Sequence, residues 1–136
     1  MSFTGPLEDR IAIHELHGAY ADAAFRGDKQ GWLDCWAEDC VWITTFGEMR
    51  GREQLAAQWD KLWDNFGALA FFTTVGAIEL DGDRGQTRAY IREIMIPKEG
   101  ATMKVVGGYK DEVVREGGKW RFARREYSVL QREIVE

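Results

Sequence analysis

The chain has 136 residues, of which 45% are hydrophobic, with six Trp, seven Phe and a formal net charge of −5. This length suits one domain, taken here as residues 1–136, and the aromatic content indicates a substantial core or an apolar cavity. The negative charge argues against a nucleic-acid-binding protein, which needs a basic face. No apolar run approaches the roughly 20 residues that cross a bilayer, and the N-terminus lacks signal-peptide features, so we expect a soluble, cytoplasmic protein.

The first part of the chain predicts two helices. Apolar residues from Ile11 to Ala24 recur at helical spacing, with Asp9 expected as the N-terminal cap. Gly27 ends this helix, and Asp28 is expected to cap a short second helix over residues 29–39. Two cysteines, Cys35 and Cys40, lie in or beside that helix. No further Cys completes a zinc set, so we expect reduced, partly buried thiols.

A strand and an amphipathic helix are predicted next. β-branched and aromatic residues predict a strand over residues 40–46, followed by a turn over residues 47–51. Segment 52–66 is the clearest amphipathic helix. Its apolar stripe comprises Leu55, Trp59, Leu62 and Phe66, with Trp63 beside it.

Four β-segments complete the chain. Glycine-containing turns connect two pairs of them into hairpins, and a longer connection joins the middle pair. Helices followed by hairpin-linked strands predict an α+β fold, in which the helices pack on one face of a strongly curved, mostly antiparallel sheet. The predicted strands are Phe71–Leu80, Gln86–Ile96, Met103–Arg115 and Lys119–Leu130.

Asp111 is a charged residue on an apolar strand face. By the two-residue period it shares that face with Val105 and Tyr109, so its carboxyl group must be hydrogen-bonded, paired or protonated. In one interpretation, burial raises its pKa and leaves it a proton donor. In the other, it forms a salt bridge with an arginine of a neighbouring strand, such as Arg92 or Arg124. The basic cluster at 121–125 is interpreted as a solvated strand face.

The first helix carries further candidates for proton chemistry. Tyr20 lies within the apolar stripe, where its hydroxyl group needs a partner. With a neutral Asp111 it can donate to a developing enolate oxygen, although a core tyrosine with its hydroxyl group at the rim is the alternative. His17, at the edge of the stripe, is either a base or a packed histidine. The pair His14 and His17 alone would hold a metal only weakly, and Asp22 is expected to face solvent.

A family resemblance is carried by three segments, "IAIHELHGAYADAAFRGDKQGWLDCWAEDCVW", "AIELDGDRGQTRAYI" and "GGYKDEVVREGGKWRFARREY". They resemble SnoaL-like proteins of the nuclear-transport-factor-like superfamily, the relatives of scytalone dehydratase, ketosteroid isomerase, limonene epoxide hydrolase and hexachlorocyclohexane dehydrochlorinase. The resemblance runs from about residue 8 to about residue 128. It implies a cystatin-like cone with one deep apolar pocket, dimers or trimers formed through the sheet, and proton-transfer chemistry without a cofactor.

The resemblance also implies site residues, and this chain departs from them. The Asp–His pair of scytalone-dehydratase-like members corresponds to Phe25 and Phe71, so chemistry by that route is not expected. The oxyanion-binding Tyr and Asp of ketosteroid isomerase correspond to Tyr20 and Asp111. Its base corresponds to Thr44, which cannot serve, and His17 and Glu48 are the candidates for a relocated base.

The sequence therefore predicts a pocket for a small, hydrophobic, ring-containing molecule, with no cofactor or metal and a homodimeric or homotrimeric assembly. If the protein is an enzyme, lyase, isomerase or cyclase chemistry is predicted, with Tyr20, Asp111 and His17 as catalytic residues. Two alternatives stay open: a non-catalytic binding or assembly module, and an accessory small subunit of a ring-hydroxylating oxygenase. The predicted lining comprises Phe25, Trp42, Phe46, Trp59, Trp63 and Phe71.

Overall fold

Three helices and seven strands make up the computed structural model, which describes residues 2–136. The predicted order of helices followed by long hairpin-linked strands is confirmed. In chain order the elements are β1 (Phe3–Thr4), α1 (Leu7–Arg26), α2 (Lys29–Asp34), β2 (Trp36–Thr44), β3 (Gly47–Arg50), α3 (Gly51–Trp63), β4 (Phe66–Asp81), β5 (Arg84–Pro97), β6 (Thr102–Glu116) and β7 (Lys119–Val135).

The strands form one curved sheet in the order β1-β4-β5-β6-β7-β2-β3. Strands β4 to β7 pair antiparallel, as do β2 and β3, whereas β1 pairs parallel with β4 and β2 pairs parallel with β7. Helix α1 packs against β4 and β7, and α3 packs mainly against β2. The predicted α+β cone is therefore confirmed. In residues 2–136, no helix has the length and apolar character needed to cross a membrane.

Tertiary pairing moves two predicted boundaries. Helix α2 ends at Asp34, and Trp36 already belongs to β2, where it pairs with Phe122 of β7. The amide of Phe122 donates to the carbonyl oxygen of Cys35 at 2.8 Å. Residues 36–39, whose spacing also suits a helix, are therefore part of the sheet. Residues 47–50, predicted as part of a turn, form strand β3 against β2. Phe66, predicted on the stripe of the third helix, begins β4 instead.

The predicted cap of the first helix is wrong, and that of the second is confirmed. Pro6 precedes α1 without a side-chain cap. Asp9 instead accepts hydrogen bonds from Arg115 Nη1 at 2.8 Å and Trp120 Nε1 at 3.2 Å, which ties the start of α1 to the sheet. Asp28 caps α2 by accepting from the amide of Gly31 at 3.0 Å.

A β-bulge in β7 decides which of its side chains face the helices. Simple alternation from Phe122, which is fully buried, would turn Arg124 inward. The pairing of β6 with β7 shifts at this point, because Val113 pairs with Phe122 while the preceding Glu112 pairs with Arg124. Ala123 is the extra residue, and beyond it Arg125 and Tyr127 occupy the inner face. A single bulge thus places both of these side chains.

Gly107 of β6 makes room for the Tyr127 ring. A Cβ atom at position 107 would lie 2.3 Å from the carbonyl oxygen of Ser128 and 3.2 Å from the Tyr127 ring. Because the oxygen belongs to the backbone of the paired strand, it cannot move without disturbing the ladder. A glycine at this position is therefore required for the observed placement of Tyr127.

We expect Gly107→Ala to lower the free energy of unfolding by about 1–3 kcal/mol, because the added methyl group overpacks the strand pair. Urea denaturation followed by circular dichroism measures the change. Gly18→Ala is the matched control, since nothing lies within 4 Å of a Cβ atom at this exposed helical position. That substitution is expected to raise stability by about 0.5–1 kcal/mol. Equal effects of the two substitutions would contradict the packing argument.

Candidate functional site

A cavity of about 330 Å³ lies between the helices and the inner face of the sheet. Five of the six predicted lining aromatics border it: Trp42, Phe46, Trp59, Trp63 and Phe71. The structure does not bring Phe25 there. Its side chain is 49% exposed and packs edge-on against Phe72, because the last turn of α1 points it away from the cavity. Phe25 is therefore corrected from a lining residue to a surface residue.

Tryptophan side chains form one wall of the cavity. The ring of Trp32 lies 5.2 Å from that of Trp42 and 4.9 Å from that of Trp59, which in turn lies 5.4 Å from Trp63. These rings come from α2, β2 and α3, so three elements hold the wall in place. Phe46, 72% exposed, and the exposed Arg132 mark the mouth of the cavity.

Two buried tyrosines present phenol groups to this cavity. Tyr20 of α1 and Tyr109 of β6 both line it, and their ring centroids are 6.4 Å apart. Trp42 Nε1 donates to the Tyr109 hydroxyl oxygen at 3.2 Å, which leaves the hydroxyl proton of Tyr109 available to another acceptor. Burial raises the pKa of both tyrosines. Both side chains are therefore protonated hydrogen-bond donors at neutral pH.

The guanidinium group of Arg125 lies behind these two phenols. Its central carbon is 3.8 Å from the ring centroid of Tyr109 and 4.4 Å from that of Tyr20, and the side chain is 1% exposed. Asp111 holds it through Oδ1 to Nε at 2.7 Å and Oδ2 to Nη2 at 3.3 Å. Burial lowers the pKa of Arg125, but Asp111 and the two phenols more than offset this, so the pKa is raised overall.

This geometry supports the salt-bridge interpretation of Asp111 with a different partner. Arg125, and not Arg92 or Arg124, pairs with the carboxylate, because the bulge at Ala123 turns it inward. The expectation that the basic cluster at 121–125 is a solvated face is therefore wrong for Arg125. Burial raises the pKa of Asp111, while Arg125 and a hydrogen bond from Thr87 oppose that effect. A carboxylate that accepts three hydrogen bonds from two strands is the ionised member of an ion pair.

His17 belongs to the same buried network. Thr87 Oγ1 donates to Asp111 Oδ2 at 2.9 Å and lies 3.1 Å from His17 Nε2, which therefore donates to Thr87. Burial lowers the pKa of His17, and the charge of Arg125 lowers it further, so the imidazole is neutral. Neither His17 nor Asp111 borders the aromatic cavity. The structure thus brings Tyr20 alone, of the three predicted catalytic residues, to the cavity wall.

Glu93 is a cavity residue that the sequence analysis missed. It lies on the inner face of β5, paired with Phe71 on one side and Val105 on the other. Burial raises its pKa to about 7, and the Tyr127 hydroxyl and the charge of Arg125 oppose this only in part. The alternation of Ala89, Ile91, Glu93 and Met95 places a carboxyl group on an apolar face, and this signal could have identified it.

The other predicted polar candidates lie at the surface. His14 is exposed and stacks on Phe3 with ring centroids 6.2 Å apart. Asp22 faces solvent as predicted, in a pair with Arg26. Glu48, a candidate for a relocated base, is exposed on β3, pairs with Arg50 and does not line the cavity.

The cysteines are free, as predicted, and they are buried where partial burial was expected. Burial raises the pKa of both Cys35 and Cys40 to about 11. Across residues 2–136, no three His, Cys, Asp or Glu side chains converge closely enough to hold a metal ion. The absence of a cofactor stays a prediction from the sequence.

The fold and cavity define a protein of the α+β cone class with an aromatic-lined pocket. The chain belongs to the SnoaL-like family, whose domain matches residues 5–126. None of the curated proteins compared with the chain matches its sequence.

Several solved structures share this fold along nearly the whole chain. A protein of Novosphingobium aromaticivorans, provisionally named an aromatic ring hydroxylase, is 26% identical with a TM-score of 0.90, covering 97% of this chain and 96% of its own. A provisionally named scytalone dehydratase of the same organism is 19% identical with a TM-score of 0.87, covering 96% and 89%. Hexachlorocyclohexane dehydrochlorinase LinA-type3 of Novosphingobium barchaimii is 17% identical with a TM-score of 0.84, covering 95% and 91%.

The buried ion pair predicts a large loss of stability when one partner is removed. We expect Asp111→Asn to lower the free energy of unfolding by about 3–5 kcal/mol, because the Arg125 charge is left buried without compensation. Asp22→Asn, which breaks an exposed pair four residues apart on α1, is the control and is expected to cost less than about 0.5 kcal/mol. Chemical denaturation measures both, and similar losses would contradict the assigned role of the pair.

The raised pKa of Glu93 predicts that the stability of the folded protein depends on pH. Its value is about 7 in the folded protein against an ordinary 4.5, so the folded state binds a proton that the unfolded chain releases between these values. Stability of the wild-type protein therefore falls as pH rises through this range. We expect the stability of Glu93→Gln relative to wild type to grow by about 2–3 kcal/mol between about pH 4.5 and about pH 8.

Glu112→Gln is the control for this pH series, because Glu112 is exposed on the outer face of β6 and is solvated in both states. Urea denaturation at a series of pH values compares both variants with the wild type. A relative stability of Glu93→Gln that stays constant across the series would show that Glu93 titrates like an ordinary surface carboxyl group.

Proposed function

We propose that the protein binds a small, hydrophobic, ring-containing molecule in the aromatic cavity and transfers a proton on it without a cofactor, as a lyase, isomerase or cyclase. The observation that supports this most is the composition of the lining. A cavity of about 330 Å³, a size suited to a compact ring system, combines tryptophan walls with a few polar groups. Those groups include the phenols of Tyr20 and Tyr109 and the carboxyl group of Glu93.

The two phenols suit stabilisation of an oxyanion. Tyr20 and Tyr109 are buried, protonated donors on one side of the cavity, and hydrogen bonds in a site of low polarity stabilise developing negative charge strongly. The positive charge of Arg125 behind both rings adds to this effect. In this account Tyr20 remains the predicted catalytic residue, while Asp111 and His17 act as positioning residues that hold Arg125 and Thr87 in place.

The departures from the family pattern favour a reaction different from that of the dehydratase-like relatives. Phe71 lines the cavity where the resemblance places a catalytic His, and the side chain of Phe25 points to the surface where it places the Asp. An Asp–His pair therefore has no counterpart at these positions. In this proposal, the proton-transferring group is therefore a different residue of the cavity lining.

A second candidate is an accessory role beside a ring-hydroxylating oxygenase. This accessory role is favoured by the 26% identity with the protein provisionally named an aromatic ring hydroxylase. A non-catalytic binding module is the other alternative. Stable co-purification of the native protein with a larger, iron-bearing chain would support the accessory role, and a protein that purifies without one supports the first proposal.

We also propose that the chain assembles as a homodimer or homotrimer through the outer face of the sheet. Large apolar side chains are exposed there, among them Phe72 at 54% and Tyr90 at 53%, which pair across β4 and β5 with Arg92 and Thr74. Burial of such side chains favours association. Sedimentation equilibrium gives the subunit number, and a monomer at all concentrations would contradict this proposal.

A pair of adjacent substitutions tests the location of the ligand. Val105 lines the cavity and is 3% exposed, whereas its neighbour Val106 points to the outer face and is 40% exposed. We expect Val105→Phe to weaken the binding of naphthalene by at least about tenfold, because the added ring occupies the cavity. Val106→Phe is the matched control and is expected to leave the dissociation constant unchanged.

Equilibrium dialysis of naphthalene against the three proteins gives these constants. The proposal fails if wild-type protein does not bind the probe, or if both variants bind it as the wild type does.

A further inference from the structure

Glu93 has an unusual position for a carboxylate. It faces the aromatic cavity from the middle of β5, with the rings and aliphatic side chains of Phe71 and Val105 directly opposite on the two neighbouring strands. No salt bridge to it forms within residues 2–136, and Arg125 is already committed to Asp111. A charged form of Glu93 therefore lacks the compensation that buried carboxylates normally have.

Tyr127 adds a second polar group whose hydrogen bonding is incomplete. Its buried hydroxyl oxygen makes no hydrogen bond of normal geometry within residues 2–136, yet it faces Glu93 closely enough to lower the pKa of that carboxyl group. The side chain is held in place by the bulge at Ala123, by the space above Gly107 and by stacking on Tyr109 at a ring-centroid distance of 4.8 Å. Buried polar groups are nearly always satisfied, so a hydroxyl group with an incomplete hydrogen bond beside a carboxyl group points to a ligand or solvent group that binds next to both.

We propose that Glu93 is the proton acceptor of the cavity, that Tyr127 positions it, and that the ligand is a neutral ring compound carrying a hydroxyl group. This inference rests on the proposed ring-binding function and names its substrate class. The rest of the lining is mostly aromatic or aliphatic, and its further polar residues are Thr44, Thr45, Asn65 and Arg132. A hydroxyl group on the ring therefore meets the Glu93 carboxylate and the phenol donors within the same cavity. Together, the carboxylate acceptor and the phenol donors favour a ligand whose hydroxyl group can lose its proton and whose negatively charged oxygen is then stabilised by hydrogen bonds.

The step is a simple proton transfer. The Glu93 carboxylate takes the proton of the ligand hydroxyl group, so an O–H bond breaks on the ligand and one forms on the carboxyl group. The electron pair of the broken bond stays on the ligand oxygen, which accepts hydrogen bonds from the phenols of Tyr20 or Tyr109. The carboxyl group then returns the proton to a carbon of the conjugated ring system, which converts the enol form into its ketone. No oxidant or reductant is needed, since the reaction is an isomerisation.

The titration of Glu93 supports this assignment. With a pKa of about 7, the carboxyl group is partly ionised at neutral pH and serves as a base of matched strength. A ligand hydroxyl group binds to its ionised form, so affinity for such a ligand should rise with pH through this region. The affinity for a ring compound without a hydroxyl group should not rise when Glu93 becomes ionised.

Equilibrium dialysis of 2-naphthol and naphthalene tests the proposal with the intact protein at a series of pH values. We expect the affinity for 2-naphthol to increase by about five- to tenfold between about pH 6 and about pH 8, because the ionised fraction of a carboxyl group with a pKa of about 7 rises about tenfold over this range and a hydrogen bond to the charged form is favourable. Naphthalene should show no increase. Glu93→Gln should remove the pH step for 2-naphthol, and Glu112→Gln, the exposed control, should retain it.

Tyr127→Phe separates a positioning role from a merely structural one. Because the Tyr127 hydroxyl group lowers the pKa of Glu93, its removal should move the pH step of 2-naphthol binding to higher pH. A pH step at the wild-type position in a folded Tyr127→Phe variant would overturn the role of Tyr127.

The possible outcomes distinguish failure of this inference from failure of the proposed ring-binding function on which it rests. If both probes bind without a pH step, or if Glu93→Gln keeps the step, the inference is wrong and the ring-binding function stands. If neither probe binds, the ring-binding function is wrong and the inference falls with it. Independently of any ligand, the ¹³C carboxyl resonance that disappears in Glu93→Gln should titrate near pH 7, and titration near 4.5 would overturn the proposal.

Discussion

The ion pair between Asp111 and Arg125 is the interaction on which the inner architecture depends. It joins β6 to β7 beneath the cavity, and its guanidinium group supports the rings of Tyr20 and Tyr109 from behind. Both charges are almost completely buried, so neither can be removed without leaving the other uncompensated. Thr87 of β5 donates a hydrogen bond to the carboxylate, and His17 of α1 donates to Thr87, which fixes the helix that carries Tyr20 against the sheet.

This pairing also explains why Glu93 differs from Asp111. Both carboxyl groups lie on the inner face of the sheet, but the inward-facing arginine satisfies only one of them. Asp111 receives three hydrogen bonds and is closed off from the cavity, whereas Glu93 meets apolar neighbours and a hydroxyl group whose hydrogen bonding is incomplete. The same fold thus contains a structural carboxylate and a reactive one, and their environments set these roles.

The sequence was sufficient to predict the fold, the order of the elements and most of the aromatic lining, because these follow from periodicity and from the family resemblance. It was also sufficient to place Asp111 and Tyr20 on inner faces. It could not identify Arg125 as the partner, because the bulge at Ala123 depends on pairing between distant strands and breaks the alternation on which the expectation for Arg124 rested. The prediction that Phe25 lines the cavity was wrong for a similar reason, because the direction of its side chain depends on how the last turn of α1 lies against the sheet. Glu93, by contrast, followed a detectable alternation along β5.

A crystal structure of the protein soaked with 2-naphthol at about pH 8, where Glu93 is ionised, tests the central claim most directly. The account predicts the two rings between the tryptophan wall and Phe71, with the ligand oxygen within hydrogen-bond distance of the Glu93 carboxylate. A cavity closed by its own side chains, or a ligand whose oxygen points to solvent at Arg132 and makes no contact with Glu93, would contradict it.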